Sequence, residues 1–317
     1  MKIKVLTLVL VLTLLLTGCG AEDKKEPIVT ITADQTQEEA PEQRTDYRVL
    51  ITSDMHCTFV NKWYGLSNEE RMQHWVDSVL AEHERHPIDL IIFAGDLSLD
   101  FWGGSGTYER FEKSTTAEFI EKYVSQLPNE IVKLYLPGNH EAYTNEKWVE
   151  ITGFERQFSY LLGNNLFICV DSFGPGNQTD YTPMNVSFIK GEMEKYPDTN
   201  VYLVGHAFYE NKESDAFKAI VRDKRVVGLF QGHTHISDLI TLSDKSGNKT
   251  LAQSGHFSFS EAEDPMNDFW GFRDIVITED SMVSSYIQVN SRAGVKHAEK
   301  MTDVPAAVQN TFKYKFR

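Results

Sequence analysis

Leu90-Ile91-Ile92-Phe93-Ala94-Gly95-Asp96 joins an apolar run to a glycine and a carboxylate. The apolar run predicts a β-strand, and the glycine permits a tight turn directly after it. Asp96 is therefore expected at the carboxyl end of a strand. In open α/β sheets, that edge is where ligand-binding side chains gather.

The same arrangement recurs in other parts of the chain. Each of four further segments places side chains that can ligate metals directly after an apolar run: Asp54-Met55-His56, Gly138-Asn139-His140-Glu141, Gly205-His206 and Gly232-His233-Thr234-His235. Carboxylate oxygens, an amide oxygen and imidazole nitrogens suit Mn, Fe or Zn. Two such ions about 3.5–4 Å apart can share a hydroxide and clamp an in-line displacement at phosphorus. The blocks therefore predict a two-metal hydrolytic site and a phosphoesterase.

Between these blocks, apolar runs alternate with helical patterns. Residues 47–53, 90–94 and 131–136 predict parallel strands in a βαβαβ rhythm, and Ser67 with Glu70 predicts a capping box at the start of the first helix. The second half repeats this rhythm less regularly. Its later strands, at 239–242, 250–253, 274–278 and 284–288, are expected to be antiparallel. We predict an α/β protein with two packed mixed sheets flanked by helices.

The ordered blocks Asp-x-His, Gly-Asp, Gly-Asn-His-Glu, Gly-His and Gly-His-x-His resemble those of calcineurin-like metallophosphoesterases over roughly residues 48–288. The resemblance implies a four-layer α/β/β/α sandwich. It implies a first metal held by Asp54, His56, Asp96 and His235. It implies a second metal held by Asp96, Asn139, His206 and His233. Asp96 offers two carboxylate oxygens with which to bridge the ions, and His140 corresponds to the catalytic imidazole of the family.

Two departures from the family pattern are visible. Protein-phosphatase members continue Gly-Asp-x-x-Asp-Arg, whereas Asp100 comes one place late here and no arginine follows. A carboxylate partner for His140 is therefore an open question. Purple acid phosphatases carry a tyrosine three residues after the bridging aspartate, and Leu99 occupies that place. A tyrosinate-coloured iron site is not expected.

The first residues predict export and lipid anchoring. Residues 1–18 have the charged start and apolar centre of a signal peptide, and the sequence before Cys19 resembles a bacterial lipobox. We expect Cys19 to be lipidated at the extracytoplasmic face of the cell membrane, with 19–46 as an acidic disordered tether. The phosphoesterase domain is expected over 47–290, followed by a modestly basic tail over 291–317.

The composition of the chain narrows the classes of molecule that it is expected to bind. The formal charge of −15 and the absence of a basic stripe argue against a nucleic-acid polymer, whereas a small phosphate ester stays open. Cys57 and Cys169 lie in or beside apolar runs and are expected as buried free thiols, although export keeps a disulfide open. Among aromatic residues near the blocks, Tyr143 and Phe208 are the preferred candidates for substrate contact because they follow His140 and His206 closely.

The sequence therefore predicts a lipid-anchored binuclear enzyme that hydrolyses a phosphomonoester or phosphodiester by attack of a metal-bridging hydroxide. The alternative is a non-catalytic surface lipoprotein that binds metals and a ligand on the same fold. A third interpretation is a structural module stabilised by a metal, but the candidate ligands exceed the four that one structural zinc requires.

Overall fold

The computed structural model describes residues 44–59, 66–258, 270–289 and 311–316. The expected signal peptide, Cys19 and most of the expected tether lie outside these residues, as does most of the segment 291–317. No helix in the described part of the chain combines the length and apolar character that a membrane-spanning helix requires.

The described part of the chain contains twelve strands. They are β1 (Tyr47–Thr52), β2 (Leu90–Ala94), β3 (Val132–Leu136), β4 (Phe158–Leu162), β5 (Asn165–Val170), β6 (Asn200–Gly205), β7 (Val226–Gln231), β8 (Leu239–Thr241), β9 (Thr250–Gln253), β10 (Gly271–Ile277), β11 (Ser281–Gln288) and β12 (Thr311–Lys315). They form two sheets, in the orders β12-β11-β10-β1-β2-β3 and β4-β5-β6-β7-β9-β8.

Both sheets are mixed, as predicted. In the first sheet, β1, β2 and β3 are parallel and β10 to β12 are antiparallel. In the second sheet, β5, β6, β7 and β9 are parallel, with antiparallel edge strands β4 and β8. The expectation that 250–253 is only antiparallel was wrong, because β9 pairs in parallel with β7 as well as antiparallel with β8. Strand order along the chain does not reveal this pairing.

The helices cover the outer faces of the sheets. They are α1 (Asn68–Arg85), α2 (Thr107–Phe111), α3 (Thr115–Glu118), α4 (Asn145–Thr152), α5 (Val186–Lys195) and α6 (Asp215–Val221). The predicted capping box is present: Ser67 accepts from the Glu70 amide, and the Glu70 carboxylate accepts from the Ser67 amide. After α3 the chain continues as a π-helical turn (Phe119–Tyr123) and a 3-10 turn (Val124–Gln126).

Alternation along the strands separates the core into layers. Val49 and Ile51 of β1 pack with Phe167 and Phe230 of the second sheet, so this cluster fills the space between the sheets. Leu50, on the opposite face of β1, packs in the cluster that contains α1. A third cluster joins the other face of the second sheet to α5 and α6. The predicted α/β/β/α sandwich is confirmed.

The expected boundary at residue 290 places β12 outside the domain, and the structure corrects this. Ser284 of β11 pairs with Phe312 of β12, so the segment after 290 returns to the sheet. The lysines of β12 predict a basic tail, whereas their alternation with aromatic residues suits an edge strand with one solvated face. Cys57 and Cys169 are free and buried, as predicted, and burial raises the pKa of the Cys57 thiol to about 12.

Phe312 connects β12 to the core between the sheets, since its ring centroid lies 6.2 Å from that of Phe230. We expect Phe312→Ala to lower the free energy of unfolding by about 2 kcal/mol, less than for a fully buried phenylalanine because Phe312 is partly exposed. Urea denaturation measures the change. Phe111→Ala is the control, since the Phe111 side chain is 60% exposed. Equal stability of the Phe312→Ala variant and the wild type would contradict a structural role for β12.

Candidate metal centre

The predicted ligand blocks meet at one edge of the two sheets. Asp54 follows β1, Asp96 follows β2 and Asn139 follows β3, while His206 and His233 follow β6 and β7. Strands β1, β2 and β3 are parallel to one another in the first sheet, and β6 and β7 are parallel in the second, so their carboxyl ends bring the blocks together.

One group of side chains consists of Asp54, His56 and His235. Asp54 Oδ1 lies 3.4 Å from His235 Nε2 and 3.8 Å from His56 Nε2. This oxygen is buried and has no hydrogen bond among the described residues. A buried carboxylate oxygen without a donor is costly unless a cation approaches it. The three side chains therefore fit one metal ion.

A second group surrounds Asp96 Oδ2. This oxygen lies 3.1 Å from His206 Nε2 and 3.3 Å from His56 Nε2. His233 Nδ1 lies 3.3 Å from His206 Nε2 and 3.0 Å from Asn139 Oδ1. His206 Nδ1 donates to the Ala94 carbonyl at 2.8 Å, which leaves Nε2 to face the cluster. The group fits a second metal ion next to the first.

Each carboxylate uses its other oxygen to join two loops. Asp96 Oδ1 accepts from the His140 amide at 3.0 Å, and Asp54 Oδ2 accepts from the His233 amide at 2.9 Å. Oδ2 of Asp96 is therefore the oxygen best placed to be shared by two ions. Only Oδ2 faces candidate ligands of both groups, because Oδ1 is occupied by a backbone amide.

The ligand backbone is strained. Five of the proposed ligands have a positive φ: Asp54 (53°), His56 (44°), Asp96 (53°), His233 (69°) and His235 (58°). Each such conformation costs on the order of 1 kcal/mol or more in a residue other than glycine, and persists only where the surroundings enforce it. Its concentration at the ligands indicates that the loops are built to aim these side chains at one point.

Glycines let two loops approach closely. A Cβ at Gly138 would overlap Asp96, and a Cβ at Gly95 would overlap the His206 ring. Gly95 also has a φ of 88°, a conformation that other residues rarely adopt. Any larger residue at either place would move a ligand.

Two residues that were not predicted hold the loops from behind. Glu141 is fully buried and accepts from the amides of Asp96, Ser98 and Gly138 at 2.8 to 3.0 Å. Arg71 of α1 is also fully buried, and it donates to the carbonyls of Met55, His56 and Phe257. Glu141 directly follows His140, so the sequence shows that it belongs to the block but not which amides it binds. Nothing in the sequence distinguishes Arg71, because it lies within an ordinary helical pattern.

His140 lies within metal-ligand distance of His56 and Asp96, and the resemblance to the family assigns it to neither ligand set. His140 Nε2 is 3.9 Å from Asp96 Oδ2, and Nδ1 donates to the Phe101 carbonyl at 2.6 Å. The partner of the imidazole is thus a backbone carbonyl. Asp100 is occupied elsewhere, since its carboxylate accepts from Thr115 and Thr116 amides and from the Tyr143 hydroxyl.

The two aromatic candidates for substrate contact lie in the interior. Tyr143 is 1% exposed with its hydroxyl bonded to Asp100, and Phe208 is 6% exposed and stacked on Phe217. Their burial argues against stacking on a substrate and corrects the expectation drawn from their nearness in sequence. Short sequence separation does not fix the direction of a side chain.

Other rings border the centre instead. Phe173 lies 5.9 Å from the His206 ring and 5.4 Å from the His233 ring, and Tyr209 lies 6.1 Å from His233. His256 is fully buried, and its ring stacks on that of His235 with centroids 5.2 Å apart. These contacts fix the orientation of the imidazoles.

Burial and charge set the protonation of the cluster. Burial and neighbouring imidazoles lower the pKa of His56 and of His233 to about 4, so both are neutral near pH 7 and carry a free lone pair. For His206, burial is outweighed by the Asp96 carboxylate, which raises the pKa to about 10. Burial likewise opposes ionisation of Asp54 and Asp96, yet the adjacent imidazoles hold the pKa of each carboxyl well below its usual value.

The donor set is that of a binuclear metal centre. Two groups of imidazole, carboxylate and amide donors share one carboxylate oxygen, and one member is a buried oxygen without a donor. This fold with this donor set is typical of binuclear metallophosphoesterases.

Residues 47–237 match the family model described as calcineurin-like phosphoesterase, and the chain belongs to that family. No curated protein matches the chain in sequence.

Three solved structures are similar in fold. A dimetal phosphatase from Danio rerio has a TM-score of 0.58 at 10% identity, with 78% of this chain and 98% of that chain covered. PhoD has a TM-score of 0.58 at 9% identity, with 86% and 70% covered. GAP50, the anchor in the inner membrane complex of Plasmodium, has a TM-score of 0.51 at 12% identity, with 86% and 90% covered.

We expect Asp96→Asn to reduce bound metal from about two ions per chain to less than one, because the shared oxygen loses its charge and both sites lose a ligand. Inductively coupled plasma mass spectrometry of the dialysed protein measures the content. Asp77→Asn, the same change at an exposed position of α1, is the control and should retain both ions. Unchanged metal content in the Asp96→Asn variant would exclude Asp96 as the bridge.

Proposed function

We propose that the protein is a binuclear metal-dependent phosphoesterase that hydrolyses a phosphomonoester or a phosphodiester. The main support is the position of Asp96 Oδ2, which lies 3.1 Å from His206 Nε2, 3.3 Å from His56 Nε2 and 3.9 Å from His140 Nε2. A shared ligand oxygen and a neighbouring imidazole that ligates neither metal are the parts that hydrolysis at phosphorus needs. Membership of the calcineurin-like phosphoesterase family supports the same class of reaction.

The metals are proposed to be two divalent or trivalent ions of Mn, Fe or Zn. Asp54, His56, Asp96 and His235 would hold one ion, and Asp96, Asn139, His206 and His233 the other. When bound, such ions polarise the phosphoryl oxygens and lower the pKa of water toward neutrality. The protein residues do the positioning: backbone amides orient both carboxylates, and Phe173 covers the rings of His206 and His233 on one side.

His140 is proposed to act on the leaving group. Its Nδ1–H is held by the Phe101 carbonyl, so Nε2 is the atom that faces the cluster. Because a carbonyl oxygen can only accept, it fixes Nδ1 as a protonated nitrogen and leaves Nε2 toward the cluster. Nε2 can therefore donate a proton to the departing alkoxide, or stabilise the charge that develops near it.

The proposed location is the extracytoplasmic face of the cell membrane. The support is the sequence of residues 1–19, with its charged start, apolar centre and Leu-x-Gly-Cys ending. A lipid on Cys19 and the acidic segment 19–46 would keep the enzyme near the membrane without spanning it.

A non-catalytic role on the same fold is the second candidate. GAP50, which is similar in fold, is described as an anchor. The presence of His140 beside a full ligand set favours catalysis, since a protein that only binds has no use for an imidazole outside the ligand sets.

We expect His140→Gln to lower kcat by about 10²-fold or more for phenyl phosphate, and by less for p-nitrophenyl phosphate. The difference arises because p-nitrophenolate is a weak base that leaves without a proton. Assays with the protein loaded with Mn, Zn or Fe, together with bis-p-nitrophenyl phosphate, also separate monoesterase from diesterase activity.

His86→Gln is the matched control, because His86 is exposed at the end of α1. It should retain wild-type rates, and both variants should retain wild-type metal content. Equal loss for the two leaving groups would contradict proton donation by His140. Two bound metals with no hydrolysis of any ester by the wild type would favour the non-catalytic role.

A further inference from the structure

A short turn after β6 reaches the edge of the metal centre. The chain passes from His206 to Tyr209 and then forms a 3-10 turn over Glu210–Lys212. The Tyr209 ring lies 6.1 Å from the His233 ring at an interplanar angle of 81°, and Tyr209 is partly exposed. The turn is therefore adjacent to a proposed ligand of the second metal and open to solvent.

Lys212 places a positive charge on this turn. Its Nζ lies 5.0 Å from the centroid of the Tyr209 ring and 5.8 Å from that of Tyr181. Attraction between an ammonium and aromatic faces holds the side chain in place while the charge stays accessible. Lys212 is exposed and makes no ion pair with any described residue.

The carboxylates next to Lys212 in sequence are both engaged elsewhere. Glu210 accepts from the Ser243 amide at 3.1 Å and from the Ser243 and Ser246 hydroxyls. These bonds also fix the turn to the loop after β8, so Lys212 is presented on a rigid support.

Glu213 fixes the other end of the turn. It is 6% exposed and accepts from the Tyr181 hydroxyl and from the Met184 amide. Glu213 thereby orients Tyr181, one of the two rings under the ammonium. A charge positioned in advance in this way loses little conformational entropy when it binds an anion.

The two arginines next to the ligand loops are buried, and each uses all but one of its side-chain nitrogens in bonds within the described part of the protein. Arg71 donates to backbone carbonyls, and Arg156 pairs with Asp171 at 2.6 Å and donates to the carbonyls of Glu141 and Tyr143. The chain has a formal charge of −15, and both of these arginines are engaged in bonds within the protein. Lys212 differs from them because its ammonium makes no ion pair with a described residue. Its surroundings favour a negatively charged ligand.

We propose that Lys212, positioned by Tyr209 and Tyr181, binds a second anionic group carried by the leaving group of the substrate. The substrate class is then a phosphate ester whose alcohol part bears a carboxylate or a further phosphate. This inference rests on the proposed phosphoesterase function and adds the chemistry that selects among its substrates. Lys212 is proposed as a specificity-determining residue, since it would contact the second anionic group and is not among the proposed metal ligands.

The test uses phenyl phosphate and its 2-, 3- and 4-carboxyphenyl counterparts, which sample different positions of the second charge. For the best carboxyphenyl ester, Lys212→Gln should lower the ratio of its kcat/KM to that of phenyl phosphate by about fivefold, mainly through KM. Lys212→Arg should restore most of the ratio. High salt should reduce the preference in the wild type, because the ammonium is exposed.

The matched phosphonates cannot be hydrolysed. The ratio of their dissociation constants measures the same preference for the second charge, so the test does not depend on turnover. Lys224→Gln is the control, because Lys224 is exposed just before β7, at the opposite end of that strand from His233. It should keep the wild-type ratio and rates. A ratio that Lys212→Gln leaves unchanged in both kinetics and binding would overturn the proposal. Failure of the wild type to hydrolyse any ester, with phosphonate discrimination lost in Lys212→Gln, would count against the proposed function and in favour of the subsite.

Discussion

The structure of the site depends on two carboxylates that each serve two purposes. Asp54 and Asp96 give one oxygen to a backbone amide of another loop and turn the other oxygen toward the imidazoles. The amide bond fixes the direction of the carboxylate before any cation binds. The Asp54 bond also ties a loop of the first sheet to a loop of the second, whereas the Asp96 bond joins two loops of the first sheet. Removing either carboxylate would therefore disturb the loops as well as the charge.

This arrangement costs stability, and the fold compensates for it. Two ionised carboxyl groups are buried, and five proposed ligands adopt a left-handed backbone that costs about 1–3 kcal/mol at each place. Glu141 and Arg71 saturate backbone groups of the same loops, and the covered sheets supply a rigid frame. Bound cations would neutralise the carboxylates, so metal binding and folding are expected to stabilise one another.

The sequence predicted the layers of the fold and the residues that meet at the sheet edge, because local patterns encode both. Strand periodicity and the Ser67 capping box could be predicted because each depends only on residues close together in the sequence. The direction of Tyr143 and the bonds of Asp100 depended on tertiary packing, which adjacency along the chain does not specify. The sequence of β12 does not distinguish an edge strand from a solvated tail, because an edge strand needs only one apolar face. The position of Lys212 depended on rings from two different loops.

The central claim is that one oxygen of Asp96 joins two metal ions. Anomalous scattering from crystals grown with Mn, recorded on both sides of its absorption edge, measures this directly. The account predicts two peaks about 3.5–4 Å apart, one beside Asp54 and His235 and the other beside His206 and His233, with Asp96 Oδ2 between them. A single peak, or two peaks that Asp96 does not bridge, would contradict it.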